Sequence, residues 1–338
     1  MDKKIDIAVV GATGVVGEAM LDLLGARKFP CGNVYPLASE RSAGLKVKMG
    51  GRQIPVGSLE EFDFSRVQIA LFSAGASVSA AHVPRAASAN CVVIDNTSHF
   101  RRDDDVPLVV PEVNAHAIAG FDQRGIIANP NCSTIQMLLA VKPIHDAVVV
   151  QRINVATYQA VSGAGREAVE NLASQTATLM NGRPLDASGM PQIAFNVVPL
   201  IDTLQDNGYT REEMKMVWET QKILDPSIMV NATTVRVPVF YGHSEAVHLE
   251  TREKISAVHA RKILAEAPGV TVIDRPERAE IPTPAVNAVG RDDVFVGRIR
   301  EDISHPKGLD MWVVSDNIRK GAALNSVQIA EILVESYL

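Results

Sequence analysis

Residues 5–17 read IDIAVVGATGVVG. A short β-branched run meets three glycines spaced three apart, and the stretch that follows, EAMLDLLGARK, carries apolar residues at helical spacing. The order is therefore strand, tight turn, helix. Small residues in such a turn let backbone N–H groups approach a pyrophosphate, and the helix start behind them favours negative charge. Gly11, Thr13, Gly14, Val15 and Val16 form this candidate phosphate loop. Its spacing is Gly-x-x-Gly-x-x-Gly rather than Gly-x-Gly-x-x-Gly, so a glycine turn without a ligand is the competing reading.

Working outward, strand-like runs recur at NVYPLA, VQIALFSAG, CVVIDN and GIIANP, with Ala- and Leu-rich helical stretches between some of them. Repeated β and α elements predict an α/β fold, with a doubly wound, mostly parallel sheet covered by helices on both faces. After Cys132 the texture changes. RINVATYQAVSGAG, TTVRVPVFY, EAVHLETRE and DVFVGRIRE are longer and alternate more clearly, which predicts a mixed or antiparallel sheet in an α+β domain. The expected division is a Rossmann-like domain over residues 1–130 and a second domain over 131–317. An amphipathic terminal helix follows within 318–338.

Length and composition fit this division. A chain of 338 residues exceeds the usual size of one core, and 46% hydrophobic with 21% charged residues is ordinary globular usage. A net charge of -6 without long like-charged blocks argues against nucleic acid or an anionic membrane as the main partner. Three cysteines match no zinc pattern and cannot all pair, so a cytoplasmic setting is expected and no metal is called for. No export signal or membrane anchor is read at the start of the chain.

One cysteine stands apart. In ANPNCSTIQMLLAV, residues 128–141, Asn-Pro-Asn stops regular structure and a helical pattern follows, placing Cys132 at a helix start. There the helix dipole and free amides stabilise a thiolate, although a cysteine in that position is equally readable as a small buried hydrophobe. Neither Cys31 nor Cys91 precedes a helix in this way. A nucleophilic thiol needs a partner, and His243 in FYGHSEAVHLE sits where a strand pattern breaks at Gly and Ser. At the second strand end, LASERS offers Arg41 and Ser42 for a ribose 2′-phosphate, or Glu40 for a free 2′-hydroxyl.

Taken together, GATGVVG, PNCST, YQAVSGAG, ETQK, VRVP followed by GHSE, and NAVG resemble the aspartate-β-semialdehyde dehydrogenases over essentially the whole chain. The resemblance implies homodimers of two-domain subunits. It also implies reduction of aspartyl 4-phosphate by NADPH to aspartate 4-semialdehyde with release of phosphate, on the route to lysine, threonine and methionine. Carried over, it makes Cys132 the nucleophile that forms an acyl-thioester, His243 the general acid and base, and Gln159 the residue that orients the acyl group. Arg236 would bind the α-carboxylate. Glu219 would face the substrate amine and Lys222 the phosphate, together with Arg101; Arg102 and Lys215 are the rivals for the phosphate roles. For NADP, Thr13 to Val16 match the phosphate loop, and Arg41 and Ser42 the 2′-phosphate site. Ser162, Gly163 and Asn317 match the remaining contacts, which would return the terminal helix to the first domain. The competing readings are an N-acetyl-glutamyl-phosphate reductase-like enzyme, and an inactive relative that only binds ligands or partners.

Overall fold

A computed structural model describes residues 4–186 and 191–338. The chain divides into two compact units, one of residues 1–131 with 322–338, the other of residues 132–321.

The first unit opens with β1 (Ile5–Val10), α1 (Val15–Ala26) and β2 (Cys31–Ala38), the strand, turn and helix of the opening motif. There follow β3 (Lys46–Met49), β4 (Arg52–Pro55), β5 (Gly57–Ser58), β6 (Ile69–Phe72), α2 (Ala76–Ser88), β7 (Val92–Asp95), α3 (Pro111–Asn114) and β8 (Ile126–Ala128). Six strands form a parallel sheet in the order β5-β2-β1-β6-β7-β8, while β3 and β4 form a separate hairpin. The strand order reverses between β1 and β6, the place where open α/β sheets leave a crevice for ligands. Gly11 ends β1 there at φ 83°, and a Cβ on it would lie 2.9 Å from the backbone carbon of Ser73, just past β6. A Cβ on Gly17 would meet the carbonyl oxygen of Gly11 at 2.2 Å. The glycines are thus required by the close approach of helix and loop. Ile5, Ile7, Val9, Ile69, Leu71 and Ile94 are buried, as continuous apolar strands covered on both faces must be.

The second unit begins with α4 (Cys132–Val148), β9 (Val150–Gln159), α5 (Arg166–Met180), α6 (Arg211–Ile223) and β10 (Met229–Arg236). It continues through β11 (His243–Thr251), α7 (Ala257–Glu266), β12 (Val270–Val272), β13 (Val294–Glu301) and β14 (Gly308–Ser315). Its sheet is mixed, in the order β10-β9-β11-β14-β13-β12, with parallel pairs at both edges and antiparallel pairs between. Helices α4 and α7 pack on one face. Along β11, His243, Glu245, Val247, Leu249 and Thr251 are buried on that face, whereas Ala246, His248 and Glu250 alternate to a more accessible side.

The chain then re-enters the first unit as α8 (Leu324–Ser336), which packs on α1 and buries Leu324, Val327, Ile329, Ala330 and Leu333 in the same core as β1 and β6. Arg27 grips Glu331 through two hydrogen bonds of 2.7 Å. Among the described residues, no helix is long and apolar enough to cross a membrane.

Candidate active site

Cys132 is the first residue of α4, directly after the Asn-Pro-Asn turn, and is partly accessible. A helix start leaves amide donors unpaired and carries partial positive charge, worth about 0.3–1 kcal/mol to a nearby anion. The guanidinium of Arg236 adds a second positive influence, since it interacts electrostatically with Cys132. The other two thiols sit in a contrasting environment. Burial pushes Cys31 up to about 11 and Cys91 up to about 12, so both stay protonated and inert near neutral pH. Gly321 presses its backbone against the nucleophile candidate, and a Cβ there would lie 2.8 Å from the Cβ of Cys132.

Strand register gathers the partners. Arg236 on β10 is the neighbour of Gln159 on β9, and Thr157, two residues back, pairs across to Glu245 on β11. Because side chains alternate along a strand, Gln159, Thr157, His243 and Glu245 share the face covered by α4. Gln159 donates from Nε2 to the Ser133 hydroxyl at 3.0 Å and to Glu212 Oε1 at 3.2 Å. Arg236 donates to the carbonyl of Ala160 at 2.7 Å. The next residue of the chain but two, Gly163, has no side chain for a steric reason: a Cβ would sit 3.0 Å from Arg236 Nη1 and 3.2 Å from His243 Nε2.

His243 is fully buried, and its Nδ1 accepts the N–H of Ala160 at 3.0 Å. Its Nε2 meets no hydrogen-bond partner among the described residues. Burial chiefly, and then the Arg236 charge, lower its pKa to about 3 against the opposing pull of Glu212. A buried polar atom left unmatched costs about 1–3 kcal/mol, so Nε2 is held at a price that a bound group would repay. Ser162 and Asn317 bond each other at 3.0 Å, and Asn317 Oδ1 also accepts the N–H of Gly242 at 2.8 Å, bracing the entry to the histidine.

The acid and the lysine differ in position from those the ETQK motif suggests. Helix α6 starts with a capping box in which the Thr210 hydroxyl accepts the N–H of Glu213 and Glu213 accepts the N–H of Thr210. Glu213 also takes the N–H of Thr234, docking the helix onto β10. One residue earlier, Glu212 faces Gln159 and binds Lys215 at 2.9 Å, and Lys215 reaches Asp202 at 2.9 Å as well. Desolvation is the largest single influence and opposes the charge, but the two carboxylates together outweigh it and raise the lysine pKa. Glu219 lies seven residues further on, on nearly the same helical face but about 10 Å along the axis. It is buried there, and Lys222 is exposed in the last turn. The acid hydrogen-bonded to Gln159 is Glu212, which the motif reading did not name, and the lysine paired with that acid is Lys215. The signal was present in the spacing of EEMK, which repeats the acid-to-lysine spacing of ETQK.

A second acid closes the GHSE motif, although the motif reading gave it no role. Glu245 is fully buried two residues beyond His243, where burial holds its pKa well above the ordinary carboxylate range. The polar group facing it is Gln136, one helical turn after Cys132, although neither side chain completes an aligned hydrogen bond.

In the first unit, Arg101 is buried and donates to the carbonyls of Asn129 at 2.8 Å and Asn96 at 3.0 Å, whereas Arg102 is exposed. Arg41 and Ser42 lie in a short 3-10 turn at the end of β2, with Arg41 exposed. Thr13 to Val16 span the loop and first turn of α1, whose N-cap is Gly14.

Comparisons with known proteins agree with the fold. Residues 6–121 match a family model described as semialdehyde dehydrogenase, NAD binding domain, and residues 141–320 match semialdehyde dehydrogenase, dimerisation domain. Across its full length the chain is 59% identical to the aspartate-semialdehyde dehydrogenase of Legionella pneumophila, covering 98% of it. It is 51% identical to that of Bacillus subtilis, covering 98% of both chains. The crystal structure of aspartate semialdehyde dehydrogenase II from Vibrio cholerae, complexed with ASA, superimposes with a TM-score of 0.97 at 58% identity, covering 99% of this chain and 100% of that one. The aspartate semialdehyde dehydrogenase from Candida albicans, solved with NADP, gives 0.76 at 28% identity over 98% of both chains.

Proposed function

The chain belongs to the aspartate-semialdehyde dehydrogenase family, and from that premise we propose that it reduces L-aspartyl 4-phosphate to L-aspartate 4-semialdehyde through a thioester on Cys132, with NADPH as reductant. The observation that carries the mechanism is Cys132 at the start of α4, under the electrostatic influence of Arg236. Gln159 and Glu212 stand beside the same helix start through Ser133. The substrate bears a carboxylate, an ammonium and an acyl phosphate. Arg236 suits the carboxylate through its planar fork, Glu212 the ammonium, and Lys215 with Arg101 the phosphate.

The nicotinamide cofactor fits the glycine loop, where the absence of side chains at Gly11 and Gly17 brings backbone against backbone at the crevice between β1 and β6. When bound, it supplies the hydride that reduces the acyl carbon. Thr13 to Val16 would hold its diphosphate, Arg41 and Ser42 its 2′-phosphate, and Ser162, Gly163 and Asn317 are further contact candidates. The accessible Arg41 guanidinium after β2 supports NADP over NAD. The chain's own work is to bind and orient the acyl phosphate, to present the thiolate, and to stabilise charge on the acyl oxygen.

Further parts of the reading are a homodimer in the cytoplasm, serving lysine, threonine, methionine and diaminopimelate synthesis. The match to a dimerisation domain supports self-association, as does the side of the second sheet away from α4, where Tyr158 is exposed and packs on Trp312. An absorbance assay at the nicotinamide band, with aspartate semialdehyde, phosphate and either NADP or NAD, tests the reading. Phosphate-dependent reduction, faster with NADP, is expected. Silence with both cofactors in folded protein would overturn it.

A further inference from the structure

Four buried polar atoms on facing elements lack an aligned hydrogen bond among the described residues: both carboxyl oxygens of Glu245 on β11, and the amide nitrogen and oxygen of Gln136 on α4. The two side chains are close enough for the Gln136 amide to act on the Glu245 carboxyl. Buried polar atoms in native proteins are nearly always matched, so an unmatched set calls for an explanation. Here the set is complementary. A primary amide presents a donor beside an acceptor, and a carboxylic acid presents the same two in reverse order. Turned edge to edge, the acid O–H donates to Gln136 Oε1 while Gln136 Nε2–H donates to the other carboxyl oxygen, and all four atoms are matched at once. A carboxylate cannot do this, because one of its oxygens would be left against Oε1. Burial, the larger influence, raises the Glu245 pKa well above the ordinary range against the pull of the Gln136 amide. Its neighbours across the sheet, Thr157 on β9 and Val313 on β14, carry no charge.

The pair sits one step behind the site. Gln136 is one turn beyond Cys132 on α4, and Glu245 is two residues beyond His243 on β11. Four helical residues advance about 6 Å and two strand residues about 6.6 Å, so helix and strand keep step between the site end and the pair. Around Gln136, α4 buries Ile135, Met137, Leu138, Leu139, Ala140 and Val141. Apolar contacts of this kind have no direction, and they tolerate a small slide or roll of the helix. Two reciprocal hydrogen bonds do not, since they close in one geometry.

Resting on the reading of Cys132 as nucleophile, we propose that Glu245 is a positioning residue: paired edge to edge with Gln136, it fixes α4 against β11 and thereby sets where Cys132 stands in the site. It touches neither substrate nor cofactor and exchanges no proton in the reaction.

The full-length protein allows two independent tests. An infrared difference spectrum near neutral pH, unsubstituted protein minus Glu245→Gln, should show the carbonyl band of a hydrogen-bonded neutral carboxylic acid, and that band should shift in Gln136→Leu. In steady-state assays with aspartate semialdehyde, phosphate and NADP, Glu245→Leu and Gln136→Leu should each lower kcat by about tenfold or more, with KM within about twofold. The double leucine variant should be no slower than the slower single one, because the two residues act as a unit. Glu245→Gln can still pair amide to amide, and its kcat should return to within about threefold of the unsubstituted protein. A purely structural role would lower the unfolding temperature of the leucine variants and leave kcat alone. The proposal is overturned by kcat within about threefold in both leucine variants, by losses that multiply in the double variant, or by a loss in Glu245→Gln as large as in Glu245→Leu. Absence of the acid band overturns it as well, whether or not the leucine variants fold. If one of them does not, methionine at the same position, unbranched and closer in shape, replaces leucine. An acid band that shifts in Gln136→Leu, in a protein inactive towards aspartate semialdehyde, would keep the pair and sink the functional reading instead.

Discussion

At the scale of single residues, electrostatic surroundings separate Cys132 from its two fellow cysteines. Cys31 and Cys91 are held protonated by burial, whereas Cys132 has a helix start and a guanidinium to favour its anion. Sequence showed the first half of this contrast, because Asn-Pro-Asn before an apolar helical run is a local signal. It could not show Arg236, which strand pairing brings in from more than a hundred residues away. The acid is the instructive difference. EEMK and ETQK offer the same acid-lysine spacing seven residues apart on one helix face, so no local rule chooses between them. The capping box at Thr210 chooses, by fixing where α6 begins and hence which glutamate reaches Gln159. Kinetics should register that choice. Glu212→Gln is expected to raise KM for aspartate semialdehyde by about tenfold, the value of one charged hydrogen bond, while Glu219→Gln stays within about threefold. The reverse ranking in steady-state assays would restore the ETQK assignment.

Elements set the distances at which these residues meet. Helix α4 packs on strands β9 and β11 with Ser133, Gln159 and His243 at one end, buried Gln136 and Glu245 one turn further on, and apolar residues such as Val247 and Leu249 beyond them. Two glycines keep that end tight. Gly163 lies against Arg236 and His243, and Gly321 against Cys132. The glycine loop after β1 was legible because its spacing falls between a strand and a helix. Gly321 was not, since a glycine that touches a cysteine 189 positions earlier leaves no local trace. Adding a methyl group there should displace Cys132 by a few tenths of an ångström or more. Gly321→Ala is expected to lose at least about tenfold in kcat, given how steeply rate depends on placement of reacting groups. Unchanged kcat with normal thermal unfolding would show that the close approach has no catalytic consequence.

For the whole molecule, the parallel sheet and the mixed sheet were both anticipated by the change of strand texture after Cys132, since burial on both faces erases alternation and burial on one face preserves it. The terminal helix announced its apolar stripe but not its core, because amphipathicity names a face and no partner. Two fully buried ionisable groups give the fold a pH signature. His243 stays neutral in the fold down to about pH 3, while the unfolded chain binds its proton below about 6.5. The unfolded state then holds more protons, so this stability is present above 6.5 and is lost as pH falls towards 3. Glu245 acts with the opposite sign: above its ordinary value of 4.5 the unfolded chain releases a proton that the fold retains, so stability declines as pH rises. Denaturant unfolding of Glu245→Gln should accordingly gain on the unsubstituted protein between pH 5 and 8, and a constant difference over that range would contradict the buried neutral acid. The central claim, a thioester on Cys132 that phosphate resolves, meets its most direct test in a rapid-mixing experiment with aspartate semialdehyde and NADP but no phosphate. The account predicts a burst of about one NADPH per subunit, followed by near-arrest until phosphate is added, and no burst in Cys132→Ser. Steady turnover without phosphate, or a burst that survives in Cys132→Ser, would contradict it.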